Sequence, residues 1–206
     1  MFKLIAVLAL LAIAVSAQTP QPCSTPFEWQ GDIFVVDPEK HAAAIAQISY
    51  DSLHQRTNTY ERVYANGKHY DFQFLALYQD NVGYEINLDD KTCKAVHIPS
   101  GTFRPFALPS NATFDTELTL GLALDVQVWS GQFADPRGGL IRWMGGVTAD
   151  GCIPVFEDVA MGDGNFIHQT FSNIVIGIPN INIWIPPKYC NTAEVHAESS
   201  PFNSRF

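Results

Sequence analysis

Clustered basic residues are what this sequence most clearly lacks. Its 206 residues include 12 Lys and Arg against 21 Asp and Glu, and the formal net charge at pH 7 is −9. Proteins that bind DNA or RNA place Lys and Arg together against the phosphates. The scattered basic residues therefore exclude nucleic acid as a partner. The acidic balance suits an extracellular setting, although solubility alone explains it as well.

Long apolar runs are also scarce, and the one that exists lies at the N-terminus. Lys3 precedes an unbroken apolar run from Leu4 to Val15, and Val15-Ser16-Ala17 forms a small-residue cleavage site. This run is shorter than the roughly 20 residues that a membrane-spanning helix needs. We therefore predict a signal peptide over residues 1–17 and a secreted, extracellular protein that does not span a membrane.

The rest of the chain contains no internal repeat and no linker that would divide it. We predict one domain over residues 18–190. Residues 191–206 are polar and unpatterned, so we predict that they form a disordered tail.

The motifs of common catalytic sites are absent. The sequence has no G-x-S-x-G, no H-E-x-x-H, no glycine-rich phosphate loop and no EF-hand loop. None of its six histidines stands at a metal-ligand spacing. We therefore predict a protein that is not an enzyme, with no catalytic residues and no cofactor, and the spacing names no metal ligand. An enzyme whose site assembles only in three dimensions is kept as an alternative.

Four cysteines and one sequon are present. An even number of cysteines without C-x-x-C spacing, in a secreted chain, indicates two disulfides rather than a zinc site. Four cysteines allow three pairings, and their spacing does not choose among them. Asn111-Ala112-Thr113 is an N-glycosylation sequon on a predicted loop, so we predict a glycan on Asn111.

Alternating apolar and polar residues dominate the pattern and predict an antiparallel β protein. Asn66-Gly67 is a tight-turn signal before the strand from His69 to Tyr78, and further turns follow every eight to twelve residues, as in a sandwich or barrel. Pro38 to Ala46 fits a short helix or a loop equally well. Ile181 to Ile185 alternates and is bracketed by prolines, which predicts an edge or extended strand.

The strand from Tyr70 to Tyr78 is apolar on both faces from Phe74 onward. A strand of an exposed antiparallel sheet normally keeps one polar face. Both faces are therefore expected to be covered. The cover on the second face could be another sheet layer, a partner subunit, a ligand or simply loops.

Several blocks resemble the ependymin family. They occur in family order from Pro22 to Cys190. They read Pro22-Cys23-Ser24-Thr25-Pro26-Phe27-Glu28-Trp29-Gln30-Gly31, Ile48-Ser49-Tyr50-Asp51, Tyr84-Glu85-Ile86, Cys93-Lys94, Val128-Trp129-Ser130-Gly131, Gly151-Cys152-Ile153-Pro154-Val155, Phe171-Ser172-Asn173-Ile174 and Ile185-Pro186-Pro187-Lys188-Tyr189-Cys190.

The resemblance implies a fold of two stacked antiparallel sheets, a β-sandwich or half-open barrel around an apolar pocket, similar to bacterial lipoprotein carriers. It implies the pairings Cys23–Cys152 and Cys93–Cys190. It also implies a secreted or lysosomal glycoprotein, a homodimer, calcium binding and cell–matrix adhesion. Many relatives have a third disulfide whose cysteines are missing here, and no family motif for calcium ligands maps onto this chain.

The pattern and the resemblance together predict an extracellular carrier of a hydrophobic ligand, such as a fatty acid or another lipid. A calcium-binding protein of cell–matrix adhesion is the alternative. The residues that we expect to form the pocket walls are Phe72, Phe74, Val126, Val128, Trp143, Ile176 and Ile183.

Overall fold

The computed structural model describes residues 19–38, 42–65, 67–134, 139–161, 166–191, 193 and 195–196. The predicted signal peptide, Asn66 of the predicted turn and most of the predicted tail lie outside these residues. The strands are β1 (Glu28–Asp37), β2 (Ala42–Asp51), β3 (Arg56–Ala65), β4 (Lys68–Leu77), β5 (Val82–Asn87), β6 (Thr92–His97), β7 (Thr113–Leu120), β8 (Leu124–Ala134), β9 (Leu140–Thr148), β10 (Pro154–Ala160), β11 (Phe166–Ile176) and β12 (Val195–His196). Two short 3₁₀ helices, Ile181–Trp184 and Lys188–Cys190, follow β11.

The strands form one hydrogen-bonded sheet in the order β12-β6-β5-β4-β3-β2-β1-β11-β10-β9-β8-β7. β1 to β6 are one meander, and β7 to β11 are a second meander joined to it through the antiparallel β1–β11 pair. Apart from the parallel β6–β12 pair, every pairing is antiparallel. The structure therefore confirms the predicted all-β antiparallel fold with at most short helices.

The inner face of the sheet is defined by alternation in its central strands. Trp29, Ile33 and Val35 of β1 are buried, and Trp29 lies opposite Tyr50 of β2. The same alternation continues across β11, where Phe171 lies opposite Ile33. These residues form the main apolar cluster, because successive side chains of a strand point to opposite faces.

A crossover segment, residues 98–112, connects β6 near one edge of the sheet to β7 at the other. It packs on the central cluster through Phe106, whose ring centroid lies 5.2 Å from Trp29 and 5.1 Å from Tyr50. The hydroxyl of Tyr50 accepts a hydrogen bond from the Phe106 amide at 3.1 Å. The amide of Thr25 donates to the Phe106 carbonyl, so the N-terminal segment is held on the crossover.

The C-terminal segment, residues 180–190, covers the back of the first meander. The side-chain amide of Asn58 donates to the Ile183 carbonyl at 2.7 Å, and Cys190 is bonded to Cys93 of β6. Leu75 shares this outer face through its pairing with Asn58, and it is completely buried. The doubly apolar β4 is thus explained by cover from the chain's own C-terminal segment.

Two local predictions differ from the structure. A helix or a loop was predicted from Pro38 to Ala46, but residues 42–46 of this segment form strand, because pairing with β1 and β3 overrides the helix propensity of alanine. Residues 39–41 lie outside the described residues. The predicted strand at Ile181 to Ile185 is a 3₁₀ turn, since the side chain of Asn180 accepts a hydrogen bond from the Asn182 amide and caps it.

The disulfides pair Cys23 with Cys152 and Cys93 with Cys190, which is the pairing that the resemblance implies. The first links the N-terminal segment to the β9–β10 turn. The short strand Val195–His196 lies within the region that we predicted to be a disordered tail. Among the described residues, no helix has the length and hydropathy needed to cross a membrane.

Candidate functional site

A cavity of about 310 Å³ lies between the second meander and the crossover segment. We call it the apolar cavity. Its walls come from the crossover and from β9, β10 and β11, and its volume is at the lower end of the range for small-molecule sites. The apolar residues that line it include Phe106, Trp143, Phe156, Val159, Ile167 and Phe171.

Two adjacent glycines in β9 let aromatic rings lie close to its backbone, Gly145 on the inner face of the sheet and Gly146 on the opposite face. A side chain at Gly145 would collide with the ring of Trp143, and one at Gly146 would collide with the ring of Phe156. The glycines therefore let both rings lie directly on the β9 backbone. This is the close approach that a glycine inside a strand permits.

A polar centre interrupts the apolar wall. Glu157 of β10 lies opposite Gln169 of β11 and Gly145 of β9. Its Oε1 accepts a hydrogen bond from Trp143 Nε1 at 2.6 Å, and its Oε2 accepts one from Gln169 Nε2 at 2.6 Å. Gln169 is only 5% exposed, and its Oε1 has no partner in the described part of the chain.

Burial raises the pKa of Glu157 above its ordinary value, because the charged carboxylate is removed from water. The hydrogen bonds from Trp143 and Gln169 oppose this shift, and the neighbouring charge of Asp158 adds to it. The Glu157 carboxyl therefore ionises less easily than an ordinary glutamate, and it sits among groups that donate hydrogen bonds to it.

A second cavity, of about 270 Å³, lies on the inner face of β3 to β6. Its walls combine Phe72 and Phe74 with Glu61, Glu85 and Lys94. Burial raises the pKa of Glu85, and the charge of Lys94 opposes the shift. This cavity therefore carries more charge on its walls than the apolar cavity does.

The seven predicted wall residues are distributed over both cavities and beyond them. Trp143 lines the apolar cavity, whereas Phe72 and Phe74 line the second one. Val126 and Val128 of β8 are buried and line neither cavity.

The last two predicted wall residues lie outside both cavities. Ile176 is 69% exposed at the end of β11. Ile183 belongs to the C-terminal segment that covers the outer face of the sheet, where its carbonyl accepts from Asn58. Neither residue lines either of the two cavities.

Little in the sequence pointed to the residues that dominate the apolar cavity. Phe106 and Leu108 lie in a crossover without a periodic pattern, so their position over the sheet follows from topology alone. Glu157 did leave a signal, since it is a carboxylate in the middle of the apolar strand Pro154–Ala160. An inward carboxylate of that kind is a candidate for a site.

Glu28, Asp51 and His54 bring potential ligand atoms within 4.8 Å of one another, the one group of this kind among the described residues. Asp51 is fully buried, and its Oδ2 already lies 2.8 Å from both His54 Nδ1 and Arg56 Nε. Calcium prefers oxygen ligands without a competing cation, whereas this group includes an imidazole and its Asp51 carboxylate already accepts a hydrogen bond from the neighbouring guanidinium of Arg56. The residues therefore do not fit calcium, and the calcium ligands stay unassigned.

The sheet, its crossover and the apolar cavity define a class of disulfide-linked, all-β antiparallel proteins whose curved sheet leaves an apolar space on its inner face. The ependymin family profile matches residues 66–190 of the chain. This is more than half of its length, and the chain belongs to the ependymin family. The resemblance found in the sequence is thereby confirmed.

Relatives of known name match nearly the whole chain. It is 28% identical to mammalian ependymin-related protein 1 of Rattus norvegicus, over 91% of this chain and 84% of that protein. It is 26% identical to ependymin-2 of Carassius auratus, over 88% of this chain and 85% of that protein.

Solved structures with similar folds have little sequence identity to this chain. An uncharacterized conserved protein from Thermus thermophilus aligns at a TM-score of 0.54 and 10% identity, over 85% of this chain and 91% of that chain. A LolA superfamily protein from Nitrosomonas europaea aligns at a TM-score of 0.34 and 9% identity, over 86% of this chain and 96% of that chain. The first likeness supports the fold alone, and the second is too weak to support an argument.

Proposed function

We propose that this protein binds the hydrocarbon chain of a fatty acid or another lipid in the apolar cavity and carries it outside the cell. The observation that carries the proposal is the cavity of about 310 Å³ walled by aromatic and aliphatic side chains of β9, β10, β11 and the crossover. A space of this kind, with few polar groups, suits an apolar guest better than a polar substrate.

The energy of such binding is adequate for a carrier. Burying a methylene group contributes roughly 0.8 kcal/mol, so a ten-carbon chain contributes enough for micromolar affinity after the cost of association. No polar contact is required for this affinity. Polar groups of the cavity would then decide which lipids are accepted.

Binding rather than catalysis is favoured by the state of the polar centre. Both carboxylate oxygens of Glu157 accept hydrogen bonds from the chain itself, from Trp143 and from Gln169. A general acid or base needs access to the substrate's proton. Glu157 is therefore better placed to hold the wall together than to transfer protons.

A cavity-filling substitution tests the proposal. Val159→Trp adds a ring inside the apolar cavity, and it is expected to reduce the affinity for decanoic acid about tenfold or more in isothermal titration calorimetry. Val175→Trp is the matched control, because Val175 lies on β11 and is 61% exposed. No heat of binding with the unmodified protein, or equal affinity of both variants, would contradict the proposal.

Secretion and glycosylation are further parts of the proposal. Asn111 is exposed in a turn just before β7, so an oligosaccharyltransferase can reach it. We expect the protein secreted from animal cells to begin near Gln18 and to lose mass after treatment with an N-glycosidase. If the mass of an Asn111→Gln variant does not change after the same treatment, the glycan is assigned to Asn111.

A homodimer is also proposed, and one surface supports it. Leu118, Leu120, Leu122 and Leu124 of the β7–β8 hairpin are all exposed. Exposed apolar patches mark interaction surfaces in many proteins. Light scattering after gel filtration should show a dimer that Leu122→Asp weakens, and a monomer at micromolar concentration would contradict this part.

A further inference from the structure

The mouth of the apolar cavity carries a cation. Arg104 lies in the crossover, lines the cavity and is exposed to solvent. Within the described residues, its guanidinium has neither an ion-pair partner nor a hydrogen-bond partner. An exposed residue on a cavity wall lies at the opening, so this charge faces whatever enters.

The backbone around Arg104 is fixed rather than loose. On one side, the ring of Phe103 stacks on Tyr50, with centroids 6.1 Å apart and an interplanar angle of 13°. On the other side, the amide of Phe106 donates to the Tyr50 hydroxyl. Both neighbours are therefore held on the same tyrosine, and the position of the arginine follows from that anchor.

The interior of the cavity presents hydrogen-bond acceptors instead of a cation. Glu157 offers only carboxylate oxygens, and the unpartnered Oε1 of Gln169 is also an acceptor. An anionic head group placed there would meet acceptors and a carboxylate, and it would lose its water. The same head group at the mouth would meet Arg104 and keep part of its water.

We propose that Arg104 is the residue that selects and orients an anionic amphiphile, holding its carboxylate at the mouth while the hydrocarbon chain lies inside and Glu157 opposes the inverted orientation. This rests on the proposed function, since it requires that the apolar cavity binds a chain. It adds the chemical class of the head group and the direction in which the lipid enters.

Two ligands of equal chain length separate the head group from the chain. Decanoate and decanol are titrated against the full-length protein, the Arg104→Gln variant and the Arg142→Gln variant. Arg142 is exposed on β9 at the face opposite Trp143 and lines neither cavity, which makes it the matched control. We expect Arg104→Gln to weaken decanoate about fivefold and leave decanol unchanged, because a partly exposed ion pair contributes up to about 1 kcal/mol. Added salt should weaken decanoate binding to the unmodified protein.

The outcomes distinguish this proposal from the function on which it rests. If neither ligand binds the unmodified protein, the proposed function fails and the orientation fails with it. If both ligands bind and Arg104→Gln lowers the affinity for neither of them, or for both equally, the function stands and the role of Arg104 is refuted. A loss of decanoate affinity in Glu157→Gln that decanol does not share would place the head group inside and also refute the proposal, whereas a ratio of decanoate to decanol affinity that is unchanged or raised supports it.

Discussion

At the scale of single residues, the pKa values of two carboxyls, those of Asp51 and Glu157, are shifted in opposite directions. Burial alone would raise the pKa of Asp51, but hydrogen bonds from His54 and Arg56 outweigh burial and hold it below its ordinary value. In Glu157 burial outweighs the hydrogen bonds, and the pKa is raised. These two acidic residues, Asp51 on the outer face of the sheet and Glu157 on the inner face, therefore respond to pH with opposite sign.

Replacement of Asp51 by Asn should destabilise the protein by about 3 kcal/mol at pH 7, the usual cost of breaking a buried ion pair. The substitution leaves Arg56 without its anionic partner, while the guanidinium also lies 4.5 Å over the ring of Trp184. Because the pKa of Asp51 is lowered in the folded state, its stabilisation is present above pH ~4 and lost as the pH falls through the folded pKa. Urea unfolding at pH 7 and pH 3 measures this, and a difference that stays constant between the two values would contradict it.

Replacement of Glu157 by Gln should make stability less dependent on pH above ~4.5, the range in which an ordinary glutamate is ionised. A carboxyl with a raised pKa stabilises the folded state below its unfolded pKa, and that contribution is lost as the pH rises through the folded value. The amide of Gln169 can turn to accept from the new side chain, so the hydrogen bonds survive. As the pH rises from ~4.5 to ~8, the melting temperature of the unmodified protein should fall by more than that of the variant. Glu117→Gln on exposed β7 is the control, and parallel pH curves for all three proteins would rule out the effect.

At the scale of elements, the C-terminal segment explains the most unusual strand. β4 faces the second cavity with Phe72 and Phe74, and its other face is buried beneath residues 180–190. The sequence predicted cover on both faces, and the structure shows it on the outer face, where Leu75 is fully buried. The sequence could not show which segment supplies this cover, because residues 180–190 reach β6 through a disulfide whose partners are separated by 97 residues.

Removal of the Cys93–Cys190 bond should loosen that cover specifically. Two double Cys→Ser variants are compared, one at these positions and one at Cys23 and Cys152. Each opens a long covalent loop, and the loss of chain-entropy stabilisation is roughly 4–5 kcal/mol in both. The first should in addition increase amide hydrogen exchange in β4 and β5, where Leu75 and Ile86 are buried. Hydrogen exchange followed by mass spectrometry compares the two, and identical exchange maps would show that the segment is not held by this bond.

Local patterns predicted most strands but not the segments between them. The predicted turn signal Asn66-Gly67 falls between β3 and β4, and strands lie on both sides of it. Pro38 to Ala46 fitted a short helix or a loop equally well, yet from Ala42 onward the neighbours β1 and β3 impose extended backbone. The alternation at Ile181 to Ile185 was misread for a related reason, since the cap from Asn180 is a single contact and leaves no periodic signal.

At the scale of the whole molecule, the apolar cavity results from topology. Two meanders meet at the β1–β11 pair, and the crossover returns over the central strands to begin the second meander. The cavity is the space that remains between the crossover and β9 to β11. A pattern of alternating residues predicts which side chains share one face of a strand, but it does not predict which distant segment packs on that face. Of the residues that line the cavity, Trp143 was named from the sequence, whereas Phe106 and Arg104 were not.

Photoaffinity labelling locates the bound chain most directly. The full-length protein is loaded with a decanoic acid that carries a diazirine near its methyl end, irradiated, digested and analysed by mass spectrometry. We expect the label on peptides of β9, β10, β11 or the crossover, and its loss in Val159→Trp. Labelling confined to β3 to β6, around Phe72 and Phe74, or labelling that excess unmodified decanoate does not displace, would contradict the account.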